Sequence, residues 1–234
     1  MNNCKLHKRC AFQLLSLVFI LNFGCGTKAL TPSIDSEFDM DEVAQERPNL
    51  DSGGVSRAYN LLFIGNSLTY TNDLPKLVKI EGEKRGISLS VHSISKPNYA
   101  IVDHWSDGEV QNQIRTGRYD FVIIQQGPSS QADGNDMLIY DGKKYADICK
   151  DNGCKLAYFM VWPAWYNYQT FDGVIENYSA GAKVNNAILC PVGLVWKRYF
   201  DRTGDFSYYG PDGFHPSAKG SQVAAEVIVD SLFK

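Results

Sequence analysis

Apolar residues in this chain fall into short continuous runs separated by stretches of helical spacing. Tyr59–Ile64 is a nearly unbroken apolar run that stops at Gly65. A run of that length without polar alternation predicts a strand buried on both faces, as in a parallel sheet. The same reading predicts strands at Ile87–Ile94, Tyr119–Gln125, Lys155–Trp162 and Ala187–Val195. Helical patterns lie between them. Leu74, Leu77, Val78 and Glu81 sit on successive turns of a helix predicted over Asp73–Arg85, which Gly86 ends. Further helices are predicted at Val110–Thr116, Asp136–Asn152 and Phe171–Asn186, and an amphipathic one at Ser217–Phe233. Strand and helix alternate without hairpin signals. That order implies an α/β fold, a mostly parallel five-stranded sheet with helices on both faces. In such sheets ligands bind beyond the carboxyl ends of the strands, so the residues after each strand are the ones to search.

The pattern changes before residue 57. Lys5, His7, Lys8 and Arg9 precede an apolar stretch, Ala11–Phe23, interrupted only by Gln13, Ser16 and Asn22. This reads as a secretory signal over residues 1–24. Gly24-Cys25 at its end resembles a bacterial lipobox, although Asn22 and Phe23 stand where Leu, Ala or Ser are commoner. Cleavage before Cys25 would leave its thiol as the lipid attachment point; plain secretion or an uncleaved anchor are the alternatives. Either way the body is expected to be exported. Residues 25–56 are acidic, with Asp35, Glu37, Asp39, Asp41, Glu42, Glu46 and Asp51, and Gly53-Gly54 near the end. They read as a flexible linker, leaving 57–234 as the folded domain.

Charge narrows the partners. The net charge is −3, and residues 1–24 carry three Lys/Arg and no acid, so without them it is −6. No basic surplus exists for nucleic acid, and membrane contact is expected through the N-terminal lipid only. The cysteines left in the body, Cys149, Cys154 and Cys190, suggest one pair and one buried thiol in an oxidising compartment. Their spacing fits no zinc pattern, so no metal is expected.

Chemistry concentrates at two places. After the first strand comes Gly65-Asn66-Ser67-Leu68-Thr69. A serine at a strand-to-helix turn is exposed at the top of the sheet, as a nucleophile must be. Thr69 replaces the second glycine of G-x-S-x-G, so the α/β-hydrolase elbow is not matched, and a plain turn serine would read the same way. Near the end comes Asp212-Gly213-Phe214-His215-Pro216. An Asp three residues before a His can fold back onto Nδ1 and leave Nε2 as a base toward a serine. Together these make a Ser/Asp/His set.

These two segments resemble the first and last blocks of the SGNH (GDSL-like) hydrolase superfamily. Asn72-Asp73-Leu74-Pro75 and Asp103-His104-Trp105 further resemble a bacterial branch reading GNSxT, NDLP and DHW. The resemblance spans roughly 59–234. It implies a flavodoxin-like three-layer α/β/α sandwich and hydrolysis of carboxylic esters through an acyl-serine, with no cofactor. By position it makes Ser67 the nucleophile, His215 the base and Asp212 its orienting partner. The middle blocks depart from the family. Where a glycine is expected to lend an oxyanion-hole N–H, the chain has Ser95-Lys96-Pro97-Asn98-Tyr99. Asn98 in that role would need a backbone shape that glycine takes more easily. Where an asparagine is expected, the chain has Gln125-Gln126-Gly127, which makes Gln126 the candidate donor beside the Ser67 N–H.

Trp162, Trp165 and Tyr166 follow the fourth strand, where they could stack on a sugar or pack a loop onto the core. The leading expectation is a serine esterase acting on a small-molecule or glycan ester, with acetyl on a carbohydrate foremost. A non-catalytic glycan-binding lipoprotein and an acyltransferase on the same fold are the alternatives.

Overall fold

The structure is a computed structural model that describes residues 57–234. The expected signal, Cys25 and the linker lie outside the described residues. Five strands form one all-parallel sheet: β1 Tyr59–Gly65, β2 Leu89–Ser95, β3 Phe121–Ile124, β4 Lys155–Phe159 and β5 Ile188–Cys190. Their spatial order is β2-β1-β3-β4-β5. The helices are α1 Ser67–Tyr70, α2 Leu74–Lys84, α3 Ile101–Asp107, α4 Glu109–Gly117, α5 Ala132–Asp136, α6 Gly142–Asp151, α7 Phe171–Val184, α8 Val192–Thr203 and α9 Ala218–Leu232. A π-helical turn, Met137–Asp141, joins α5 to α6. With right-handed crossovers, α2 and α9 pack together over one face of the sheet and α3, α4, α6 and α7 cover the other. The expected α/β/α sandwich is therefore the fold observed.

The continuous apolar runs account for the sheet interior. Leu61 to Ile64 of β1, all of β3, and Leu156 to Phe159 of β4 are buried. A strand covered by helices on both faces has no solvent side, so alternation disappears. β2 is an edge strand, and its pattern alternates in part.

Several elements differ from the sequence reading. The fifth strand stops at Cys190 rather than Val195, because Pro191 has no N–H to continue the ladder. Residues from Val192 onward form α8 instead, with Val192, Trp196 and Phe200 buried at helical spacing. Helix α3 had no predicted counterpart; the Asp103 carboxylate accepts from Ala100 N at 2.8 Å and starts it. The three body cysteines are all buried free thiols rather than a pair and a thiol. Cys154 Sγ donates to Cys149 O at 3.5 Å, and burial pushes the Cys190 thiol up to about 12.

Candidate active site

The strand order reverses between β1 and β3, whose neighbouring chain segments run to opposite sides of the sheet. A crevice opens there at the carboxyl ends. It forms a cavity of about 510 Å³ lined by Ser67, Asn98, Tyr99, Gln126, Met137 and Phe214 among others. Four segments supply these walls: those after β1, β2 and β3, and the turn before α9 that carries Phe214.

Ser67 is the first residue of α1, so its N–H has no carbonyl to meet within the helix. Asn66 is the N-cap, and its Oδ1 accepts from Leu68 N at 3.1 Å. The Asn66 Nδ2 donates to Tyr99 O at 3.0 Å and ties this turn to the loop after β2.

His215 comes from the far end of the chain. Its Nε2 lies 2.9 Å from Ser67 Oγ, and its Nδ1 lies 2.6 Å from Asp212 Oδ2. The other Asp212 oxygen accepts from Phe214 N and His215 N at 3.0 and 2.9 Å. That tight turn is how a carboxylate three residues upstream reaches its own imidazole. Bonding to His215, then to the Phe214 N–H, holds the Asp212 carboxyl below the usual carboxylate range. An ionised Asp212 keeps the proton on Nδ1, so Nε2 is left to accept from the Ser67 hydroxyl. The segment is fastened to the β1 side by Asn72, whose Nδ2 donates to Pro216 O at 3.0 Å and Ser221 Oγ at 2.9 Å. Asn72 holds this position with φ 57°, in the left-handed region that Asn tolerates better than most residues.

The two altered blocks also converge on the cavity. Asn98 has φ 62°, the left-handed backbone that its place in the loop demands. Its N–H has no backbone or side-chain partner among the described residues. Gln126 is buried; its Nε2 donates one proton to Ser129 Oγ at 2.7 Å, which leaves a second proton on that nitrogen. Its main chain is clamped by Tyr178, which takes a bond from Gln126 N at 3.1 Å and gives one to Gln126 O. Full burial pushes the Tyr178 phenol up, so it stays a donor.

The structure therefore brings Ser67, His215, Asp212, Asn98 and Gln126 to one place. It separates the three aromatics. Trp162 is completely buried, stacked on Trp196 at 3.5 Å between ring centroids, with Nε1 donating to Phe214 O at 3.0 Å. The expectation that Trp162 stacks on substrate is thus corrected: it has no surface to offer. Trp165 and Tyr166 are 56% and 70% exposed and lie outside the cavity wall. Trp165 N donates to Gly213 O at 2.7 Å, which sets that ring beside the Asp212–His215 turn. Sequence reading passed over Asn72 and Tyr178 as contributors to the site. Asn72 stood only within a motif, and nothing local marks Tyr178, which acts from α7.

Neither a protein-family model nor a curated protein matches the chain. Solved structures do. An SGNH-hydrolase-assigned protein from Slackia heliotrinireducens matches with TM-score 0.63 and 20% identity, over 75% of this chain and all of that one. A lipase/acylhydrolase from Enterococcus faecalis matches with TM-score 0.61 and 15% identity, over 74% and 95%. An acetyl xylan esterase variant from Geobacillus stearothermophilus matches with TM-score 0.60 and 13% identity, over 77% and 98%. At these identities the likeness establishes the fold, and the fold is that of the SGNH hydrolases.

Proposed function

We propose that this protein is a serine esterase that hydrolyses carboxylic esters through an acyl-Ser67 intermediate. The observation that carries the reading is the hydrogen-bonded chain Ser67–His215–Asp212 opening on a cavity that also holds free N–H donors. In the mechanism, His215 Nε2 takes the Ser67 proton as Oγ attacks the ester carbonyl. The oxyanion meets the N–H groups of Ser67 and Asn98 and the second Nε2 proton of Gln126. His215 then gives its proton to the leaving alcohol oxygen. Water repeats the sequence and releases the acid.

The substrate we favour is a small acyl group, acetyl foremost, on a carbohydrate. Polar groups (Asn98, Gln126, Ser130, Gln131 and Asp133) share the cavity with Met137 and Phe214. That mixture suits a short acyl group on a hydroxyl-rich alcohol better than a long chain. The fold's likeness to an acetyl xylan esterase is consistent with it. The test is hydrolysis of p-nitrophenyl acetate, butyrate and octanoate by the purified protein. Turnover is expected to fall with chain length. A protein that turns over none of them, and none of a panel of acetylated glycans, would instead be a binding protein on this fold.

Two residue-level outcomes follow from the same geometry. Asp212→Asn keeps an oxygen for the two backbone N–H groups but presents an amide to His215 Nδ1, which favours the wrong tautomer. In buried triads that change costs about 10⁴ in kcat. Here the Asp212 side chain is 52% exposed, so water can relax the imidazole and a loss of about 10²–10³ is expected. Steady-state kcat with an unchanged melting temperature checks it. Trp165→Ala should raise KM for an acetylated oligosaccharide about tenfold, one lost stacking contact, and leave p-nitrophenyl acetate untouched. An equal effect on both substrates would remove Trp165 from glycan binding.

Export and lipid attachment at Cys25 belong to the same proposal. Cys25→Ser is expected to move the protein from the membrane fraction to the soluble one, followed by fractionation and intact mass.

A further inference from the structure

The site is assembled from separate loops, and its donors must be held in register while the oxyanion forms. Gln125 sits where this register is set. It is the residue after β3, preceded by Ile123 and Ile124, and it is 1% exposed. A fully buried amide at the end of an apolar strand has four hydrogen-bonding sites, two on Oε1 and two on Nε2. Three of them are met at the candidate site. Its Oε1 accepts from Asn66 N at 2.9 Å and from Thr69 Oγ1 at 2.8 Å. Its Nε2 donates to Gln126 O at 2.6 Å. One side chain thus grips both sides of the Ser67 turn and the backbone of the other donor, Gln126.

The surroundings are built to keep this amide in place. A Cβ on Gly65 would stand 2.5 Å from Gln125 Oε1 and would also strike Thr69 Oγ1. Glycine at 65 is what lets the amide approach the turn. The Gln125 N–H meanwhile extends the β1–β3 pairing by one bond, to Ile64 O at 2.8 Å. The backbone of Gln125 therefore belongs to the sheet, while its side chain serves the two loops.

We infer that Gln125 is a positioning residue: it locks the Ser67 N–H and the Gln126 side chain into one oxyanion-binding geometry. The inference rests on the serine-esterase reading above. It predicts a loss in the chemical step rather than in binding, because the substrate ground state does not need both donors at transition-state distance.

The test uses the whole protein, with Gln125→Met and Gln125→Glu beside the wild type. Ser67 is titrated to completion with a fluorophosphonate probe, so that kcat is expressed per competent site. Gln125→Met keeps the volume and removes every side-chain hydrogen bond. It is expected to label fully, to lose about 10²-fold in kcat per site, the size of one oxyanion donor, and to keep KM within about threefold. A purely structural residue would give fewer labelled molecules with wild-type kcat per site, and that result overturns the inference.

Gln125→Glu supplies a second, independent reading should the methionine variant fold poorly. The introduced carboxyl, while protonated, donates to Gln126 O as the amide does. Once ionised it opposes that carbonyl. The titratable groups facing it are His104, whose Nε2 donates to Gly65 O, and Tyr178 on Gln126. Burial keeps both neutral, lowering the imidazole and raising the phenol. The kcat of Gln125→Glu should therefore decline with rising pH over a range where the wild type does not. Parallel profiles would overturn the inference. A wild type that neither labels at Ser67 nor turns over esters is a different result; it removes the esterase reading, and this inference falls with it.

Discussion

Ser67→Ala is expected to lower kcat by about 10⁴- to 10⁶-fold while leaving the fold intact. In the proposed mechanism the hydroxyl is the attacking atom, and among the described residues its bonding partner is His215 Nε2 at 2.9 Å. Nothing nearby replaces it as a nucleophile. Its removal costs at most about 1 kcal/mol of stability, because the bond it loses is part-exposed. The melting temperature should therefore stay within about 4 °C of wild type, and the rate loss cannot be unfolding. His215→Ala should lose a similar amount. The double variant Ser67→Ala/His215→Ala should lose no more than the worse single one, since groups acting as a unit are not additive. Residual turnover above about 1% in Ser67→Ala would place the nucleophile elsewhere. Losses that multiply in the double variant would mean that the serine and histidine act independently, against the 2.9 Å bond between them.

The second large effect is on stability. Trp162→Ala is expected to destabilise by about 3–5 kcal/mol, which is roughly a fifth or more of a typical domain's total. The melting temperature should fall by roughly 6–20 °C for a domain of this size. Trp162 is wholly buried, and its ring lies flat on Trp196, with 14° between the planes. Truncation empties the volume of an indole that its neighbours cannot refill. It also strips Phe214 O of its donor, in the turn that shapes Asp212 and His215. Trp162→Phe separates the two contributions, since it keeps most of the packing and loses the N–H. The stacked partner gives the control, because the buried Trp196 Nε1 has no partner. Trp196→Phe removes an unsatisfied donor and should cost less than Trp162→Phe. Thermal and urea unfolding, read with kcat, check all three. A Trp162→Ala variant that melts within about 3 °C of wild type would mean that the stack carries little of the core.

Much of this architecture is written locally. The nearly unbroken apolar runs at Tyr59–Ile64 and Tyr119–Gln125 can only be satisfied by cover on both faces, and that condition alone calls for helices above and below a parallel sheet. Asp212 and His215 are also local: three residues apart, they close one turn held by the Phe214 and His215 N–H groups. The candidate nucleophile was legible for the same reason, as a small polar residue just past a buried strand. What misled was also local. Val192–Val195 looks like strand by composition, yet Pro191 interrupts the ladder and the burial of Trp196 and Phe200 at helical spacing makes it α8. Trp162 looks like its exposed neighbours Trp165 and Tyr166, and only a partner 34 positions later in the chain, Trp196, decides that it is core.

The sequence by itself determined the strand–helix alternation, the parallel sheet and the chemical identity of Ser67, Asp212 and His215. It did so because periodicity and turn chemistry act between residues a few positions apart. The tertiary structure alone decided that β1 lies beside β3, that His215 meets a serine 148 positions away, and that Gln125 bridges two loops. Those contacts depend on how whole elements bury their surfaces against one another. No short stretch of sequence carries that free energy, so no short stretch could reveal it.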